Sequence, residues 1–165
     1  KQAFGADRLF IVGENMQPPS LLFHLDQAVV FLADRTAATL RIVETMSESA
    51  ARDTEHEELN EVRAFLAGLR DLLRGLGYRV VDIHVRADSL ARHRQDVNGV
   101  PFIHRETGRP TYLMPVYPEY ADAEERAISE RNMRVFTEIG YDVVPTLVKT
   151  DHINGGLHCI INVLE

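Results

Sequence analysis

The sequence is short of cysteine, tryptophan, long apolar runs and positive charge, and each shortage removes a class of protein. Its 165 residues hold one cysteine, Cys159, and no tryptophan. No internal disulfide can form, which fits a reducing, cytoplasmic setting and leaves a free thiol. No apolar run approaches the ~20 residues that a membrane-spanning helix needs, so no membrane association is expected. Lys and Arg number 18 against 25 Asp and Glu, for a net charge of −7. The arginines are scattered, whereas nucleic-acid binding needs clustered cations to displace counterions, so nucleic acid is not an expected partner. His84, His93, His104 and His152 lack metal-ligand spacing, with no His-Glu-x-x-His and no cysteine pair. No metal site is predicted.

What is present points to a packed α/β domain. Hydrophobic residues make up 45% and are spread along the whole chain, enough for one core across 1–165. The chain opens on Lys1 rather than Met, and is expected to be part of a longer polypeptide. Thr54, with Glu57 three residues on, forms a capping box that opens a helix. Its stripe runs through Leu59, Val62, Phe65, Leu66, Leu69, Leu72, Leu73 and Leu76, and it stops at Gly75 or Gly77. Asp122 with Glu125 opens a second helix, faced by Ile128, Val135, Phe136 and Ile139 and stopped by Gly140.

The residues after each helix are nearly the same. Gly77-Tyr78-Arg79-Val80-Val81-Asp82 and Gly140-Tyr141-Asp142-Val143-Val144-Pro145 lie 63 residues apart (140 − 77), with a weaker copy at residues 5–12. Residues 27–32 and 39–43 read as a hairpin turning at Asp34-Arg35-Thr36. Residues 112–116 and 158–164 read as further strands. The unit is strand, strand, helix, strand, with one copy over about 20–85, the next over about 86–148, and one strand of a third. Residues 92–110, which contain Asn98-Gly99 and Gly108-Arg109-Pro110, are predicted to be loop. A loop that long inside a compact domain is often functional.

Counting from strand-leading glycines brings out two reactive side chains. From Gly5 to His24 is 19 residues (24 − 5), and from Gly140 to Cys159 is also 19 (159 − 140). In a pseudo-symmetric repeat such positions face one centre, which would set a thiol beside an imidazole as nucleophilic catalysis requires. Gly155 and Gly156 precede Cys159 and let the backbone approach a ligand closely. His24 and Asp26 are spaced i, i+2, so on an inner strand both would face the same side. The alternatives are an inert buried Cys159, a satisfied buried His24 and an Asp26 that merely caps a loop.

The stretch NGGLHCIINV resembles the nucleophile motif of the guanidino-group-modifying superfamily, the pentein or α/β-propeller fold of agmatine deiminases and peptidylarginine deiminases. FHLDQAVVFL resembles that superfamily's His-x-Asp motif, and FGADRLFIVGE the strand before it. The resemblance covers nearly the whole chain. It implies a partial fan of about two and a half modules, the C-terminal portion of a propeller. It also implies a deiminase acting on a small guanidino compound or an arginine side chain, with no cofactor. In that reading Cys159 is the nucleophile, His24 the acid/base and Asp26 a guanidinium-binding carboxylate, beside Gly155 and Gly156. Ile161 stands where the superfamily has Thr or a small residue, and its remaining acidic groups come from an N-terminal half beyond this sequence. Homo-oligomerisation, or docking of that missing half, is therefore expected. His158 is read as structural, on the opposite strand face. The rival functions are amidino transfer, dimethylarginine hydrolysis, and a non-catalytic module used for binding or assembly.

Overall fold

The computed structural model describes residues 19, 22, 24–43, 53–118 and 121–148. After a 3₁₀ turn, Leu25–Gln27, come strands β1 (Val29–Leu32) and β2 (Thr36–Val43), helix α1 (Asp53–Gly75) and strand β3 (Arg79–Arg86). A short helix α2 (Ala87–Ala91) leads to β4 (Val100–Ile103), β5 (Pro110–Val116), helix α3 (Ala123–Glu138) and β6 (Asp142–Leu147). The strands form two three-stranded mixed sheets, ordered β1-β2-β3 and β4-β5-β6. In each the first pair is antiparallel and the second parallel. Among the described residues neither sheet closes on itself. The strand, strand, helix, strand unit therefore occurs twice, with the junction at Arg86 as expected from sequence.

Most of β2 is covered on both faces, since Thr36, Ala37, Ala38, Thr39 and Leu40 are all buried in succession. A strand half-exposed to water would alternate instead. The α1 stripe delivers Val62, Phe65, Leu66, Leu69 and Leu73 to the same core, which also takes Tyr112, Met114, Phe136 and Tyr141 from the second unit. The two units thus share one core. Tyr112 and Phe136 stack with ring centroids 3.9 Å apart at its centre.

The repeated Gly-Tyr has a clear physical basis. At the end of α1, the Gly77 N–H donates to Arg74 O and the Tyr78 N–H to Leu73 O. At the end of α3, the Gly140 N–H donates to Thr137 O and the Tyr141 N–H to Phe136 O. Both are Schellman caps, which need one residue at positive φ and favour an apolar contact from the next residue back to the helix. Gly77 and Gly140 supply φ of 82° and 96°. The same pair of bonds closes α2, with His93 in the left-handed place at φ 54°.

Three expectations need correction. Residues 92–110 are not all loop: Val100–Ile103 pairs with Pro110–Val116 and supplies the second unit's first strand. Gln27 belongs to the 3₁₀ turn, so the hairpin starts later, at Val29, and β2 starts earlier, at Thr36. The turn between them has Asp34 and Arg35 at its centre, with φ of 54° and 53°. Positive φ at both central residues matches the right-handed twist of the flanking strands. The N-terminal copy at 5–12 and the strand at 158–164 lie outside the described residues.

Candidate functional site

Two polar constellations stand out among the described residues, and one buried loop joins them. The first is the Leu25–Gln27 turn. His24 is its N-cap in extended conformation, and Asp26 lies inside it. The His24 Nδ1 and Asp26 Oδ1 atoms are 4.0 Å apart, with side chains 56% and 26% exposed. The pair is therefore close, but a 3₁₀ turn brings it together, not the inner strand expected from the i, i+2 spacing. The turn forms because Gln27 and Ala28 donate their N–H groups to His24 O and Leu25 O. Cys159, Gly155 and Gly156, and with them the expected meeting of thiol and imidazole, lie outside the described residues.

The second constellation fills the joint between the two units. Asn132, fully buried in the middle of α3, accepts from the His84 N–H (2.9 Å) and donates to His84 O (2.8 Å). It thereby ties α3 to the outer edge of β3. Its other N–H reaches Asp96 Oδ2 at 2.8 Å, and Ser129 donates to Asp96 Oδ1 at 3.3 Å. Beside them Arg86 grips Asp88 through two parallel bonds of 2.9 and 2.8 Å and donates to Asp122. Asp122 in turn caps α3 by accepting from the Glu125 N–H, as its sequence position predicts. One cation at the end of β3 so holds the starts of both α2 and α3.

The environment sorts these acids. Burial raises the Asp96 carboxyl to about 6, against the pull of its bonds from Asn132 and Ser129. The Glu125 N–H, and then Arg86, hold Asp122 below the usual carboxylate range. Arg86 is made still more basic, chiefly by its bond to Asp122. Burial lowers His84 and His93. His84, Arg86, Arg94, Asp96, Glu125 and Ser129 line a cleft with about 20 Å³ of free volume, room for a water or two. Among the described residues no group of three His, Cys, Asp or Glu side chains could hold a metal ion. No helix there is long and apolar enough to cross a membrane.

Asp122 and Glu125 were read from sequence as a helix cap, but none of the joint residues was singled out as a functional group. The detectable signal was Asn132, a polar residue at the centre of the Ile128–Phe136 stripe. The loop over 94–99 gave no such signal: Arg94, Gln95, Asp96 and Asn98 are buried despite their polarity, together with Val97 and Gly99. Its Asn98 Nδ2 donates to Asp26 O at 3.2 Å, linking the joint to the His24–Asp26 turn.

No protein-family model matches the chain, and no curated protein matches it. Among solved structures, a C. jejuni agmatine deiminase is similar at 14% identity and a TM-score of 0.48. That alignment covers 87% of this chain and 39% of the deiminase, so the chain spans well under half of that protein's length.

Proposed function

We propose that the chain is the C-terminal portion of a pentein-type propeller whose two motifs form a cysteine-dependent hydrolase of guanidino compounds. The observation that carries this reading is the His24–Asp26 pair, 4.0 Å apart on a half-buried turn, in a stretch that resembles the superfamily's His-x-Asp motif. Asp26 accepts hydrogen bonds from a planar guanidinium and orients it. The Cys159 thiolate attacks the guanidinium carbon, and the C–S bond forms as one C–N π pair moves to nitrogen. His24 gives its proton to the departing nitrogen, and ammonia leaves a thiouronium on the sulfur. His24, now neutral, takes a proton from water as that water attacks the same carbon. Collapse breaks the C–S bond, returns the thiolate and releases the ureido product. Gly155 and Gly156 let the backbone close on the planar group. Val144 and Leu147 of β6, 45% and 53% exposed, support docking of a missing half or a second copy.

The test compares 2-chloroacetamidine, a guanidinium-like electrophile, with the neutral 2-chloroacetamide on the full chain. Cys159 should react at least about tenfold faster with the amidine, because a charge-assisted contact to Asp26 is worth about 1.5–3 kcal/mol. Asp26→Asn should remove the preference, and Cys159→Ser should end both labelling and ammonia release from agmatine or arginine. Equal rates for the two reagents would overturn the reading.

A further inference from the structure

We infer that Asn98 is a positioning residue for the His24–Asp26 turn, acting on it from the second unit; the inference rests on the proposed guanidino chemistry only for the turnover part of its test. Asn98 is fully buried, and its Nδ2 donates to the backbone carbonyl of Asp26, 72 positions away in sequence. A bond to that carbonyl sets where the turn stands and does not itself engage the carboxylate of Asp26 or the imidazole of His24.

The loop that carries Asn98 is anchored on three sides. The Gly99 N–H donates to the Tyr112 hydroxyl at 3.1 Å, and that hydroxyl is 2.9 Å from both Asp96 O and Val97 O. Asn132 holds Asp96 from α3. At Gly99 the backbone passes so close to β5 that a Cβ would lie 2.3 Å from Leu113 O and 2.6 Å from the Tyr112 ring. Only glycine permits that approach, and it places Asn98 against the turn. The Asn98 N–H donates to Gln95 O at 3.3 Å, which fixes the curvature of the loop. The turn, by contrast, is a single 3₁₀ turn whose N-cap, His24, makes no side-chain capping bond. Short 3₁₀ pieces have poor hydrogen-bond geometry and depend on their surroundings for orientation. A rigid, buried loop therefore aims the turn through the Asn98 bond.

The test uses Asn98→Ala and Asn98→Asp in the full chain. Displacing a catalytic pair by about 1 Å costs on the order of 100-fold in rate. Asn98→Ala should accordingly lower kcat for guanidine hydrolysis about 10- to 100-fold and change KM less than about twofold. Asn98→Asp keeps the shape but loses the donor while it is ionised. Its deficit relative to wild type should shrink as pH falls, because a protonated carboxyl can again donate to Asp26 O. A merely structural asparagine would lower the folded fraction while leaving turnover per folded molecule equal to wild type at every pH. A second readout needs no turnover: Asn98→Ala should shift the His24 ring resonances in an NMR spectrum while leaving those of His104, in the turn between β4 and β5, in place. If the wild-type chain alone hydrolyses no guanidine, as its dependence on acidic groups from the missing half implies, the amidine labelling judges the functional reading and the His24 resonances alone decide the inference. Unchanged His24 signals in Asn98→Ala would overturn it. Should that variant fail to fold, the pH dependence and His24 signals of Asn98→Asp decide in its place.

Discussion

The two units end their helices in the same way and differ in what meets their last strands. In the first, α3 lies against β3 and Asn132 occupies both backbone groups of His84. Adding the repeat length to His84 gives Leu147 (84 + 63), and the sheet register agrees: His84 stands opposite Arg41, and Leu147 opposite Val116. These partners are themselves equivalent, each five residues into the pairing. At that place β6 presents Leu147, 53% exposed, with Val144 at 45% nearby. A repeated unit carries its own helix, strand and cap. The seal on its outer strand comes from the unit after it.

The largest effect should come from breaking that seal. Asn132 is equivalent to Leu69 of α1 (132 − 63), which is buried in the same core. Asn132→Leu therefore installs the residue that the first unit already uses. It should nonetheless cost about 3–5 kcal/mol, because the His84 N–H and C=O lose their partners and Asp96 loses a donor in a buried site. Urea unfolding measures this directly. A loss under about 1 kcal/mol would mean that water replaces the amide, and the contrast between the two strand edges would then have no energetic content.

The joint also holds two aspartates shifted in opposite directions, so pH can separate a buried acid from an exposed one. Asp96 is raised from 3.8 to about 6 by burial. The folded state therefore binds its proton more tightly than the unfolded state. Stability from this group is greatest below pH 3.8 and falls as pH rises through 6, by roughly 3 kcal/mol for about two pKa units. Asp122, whose carboxyl is depressed, acts in the other sense and loses its contribution as pH falls through its folded value. Comparing wild type with Asp96→Asn at pH 4 and pH 7.5 cancels Asp122. Wild type should lose about 2–3 kcal/mol more than the variant over that interval. Parallel pH curves would show that Asp96 is hydrated in solution.

How much of this was readable in the sequence depended on how local the causes were. Apolar periodicity marks α1 and α3, Asp122 and Glu125 announce a cap, and Gly-Tyr marks both helix ends, because each feature is settled within a few residues. The loop over 94–99 was not readable as buried. Arg94, Gln95, Asp96 and Asn98 look solvated until α3 and Tyr112 are brought against them across tens of residues. β4 was hidden for a related reason: it is four residues long and contains Pro101, which weakens any strand pattern. His24 and Asp26 were placed on a strand because an apolar run comes directly after them. The bonds from Gln27 and Ala28 back into the turn decide otherwise. The pairing of the two side chains survived a wrong backbone assignment, since a strand and a 3₁₀ turn can both bring residues two apart close together.

The smallest expected effect tests the part of the comparison in which the two units agree. Gly77 and Gly140 hold the same place in the same cap, and both need positive φ. A Cβ at Gly77 would meet only Arg35 Nη1, at 3.6 Å, and a Cβ at Gly140 would meet nothing within 4 Å. Steric crowding therefore contributes little at either site, and the cost of alanine is the left-handed backbone itself, about 1 kcal/mol. Gly77→Ala and Gly140→Ala should destabilise the chain equally to within about 0.5 kcal/mol, and the double variant should be additive because the two caps share no hydrogen bond. Gly75→Ala serves as the control: it lies in the last turn of α1 with open space around it. Its better helix propensity should leave the chain unchanged or up to about 1 kcal/mol more stable. Unequal costs at the two caps, measured by urea unfolding, would mean that one helix end carries strain which the other does not. The 63-residue repeat would then be a likeness of sequence without a likeness of energetics.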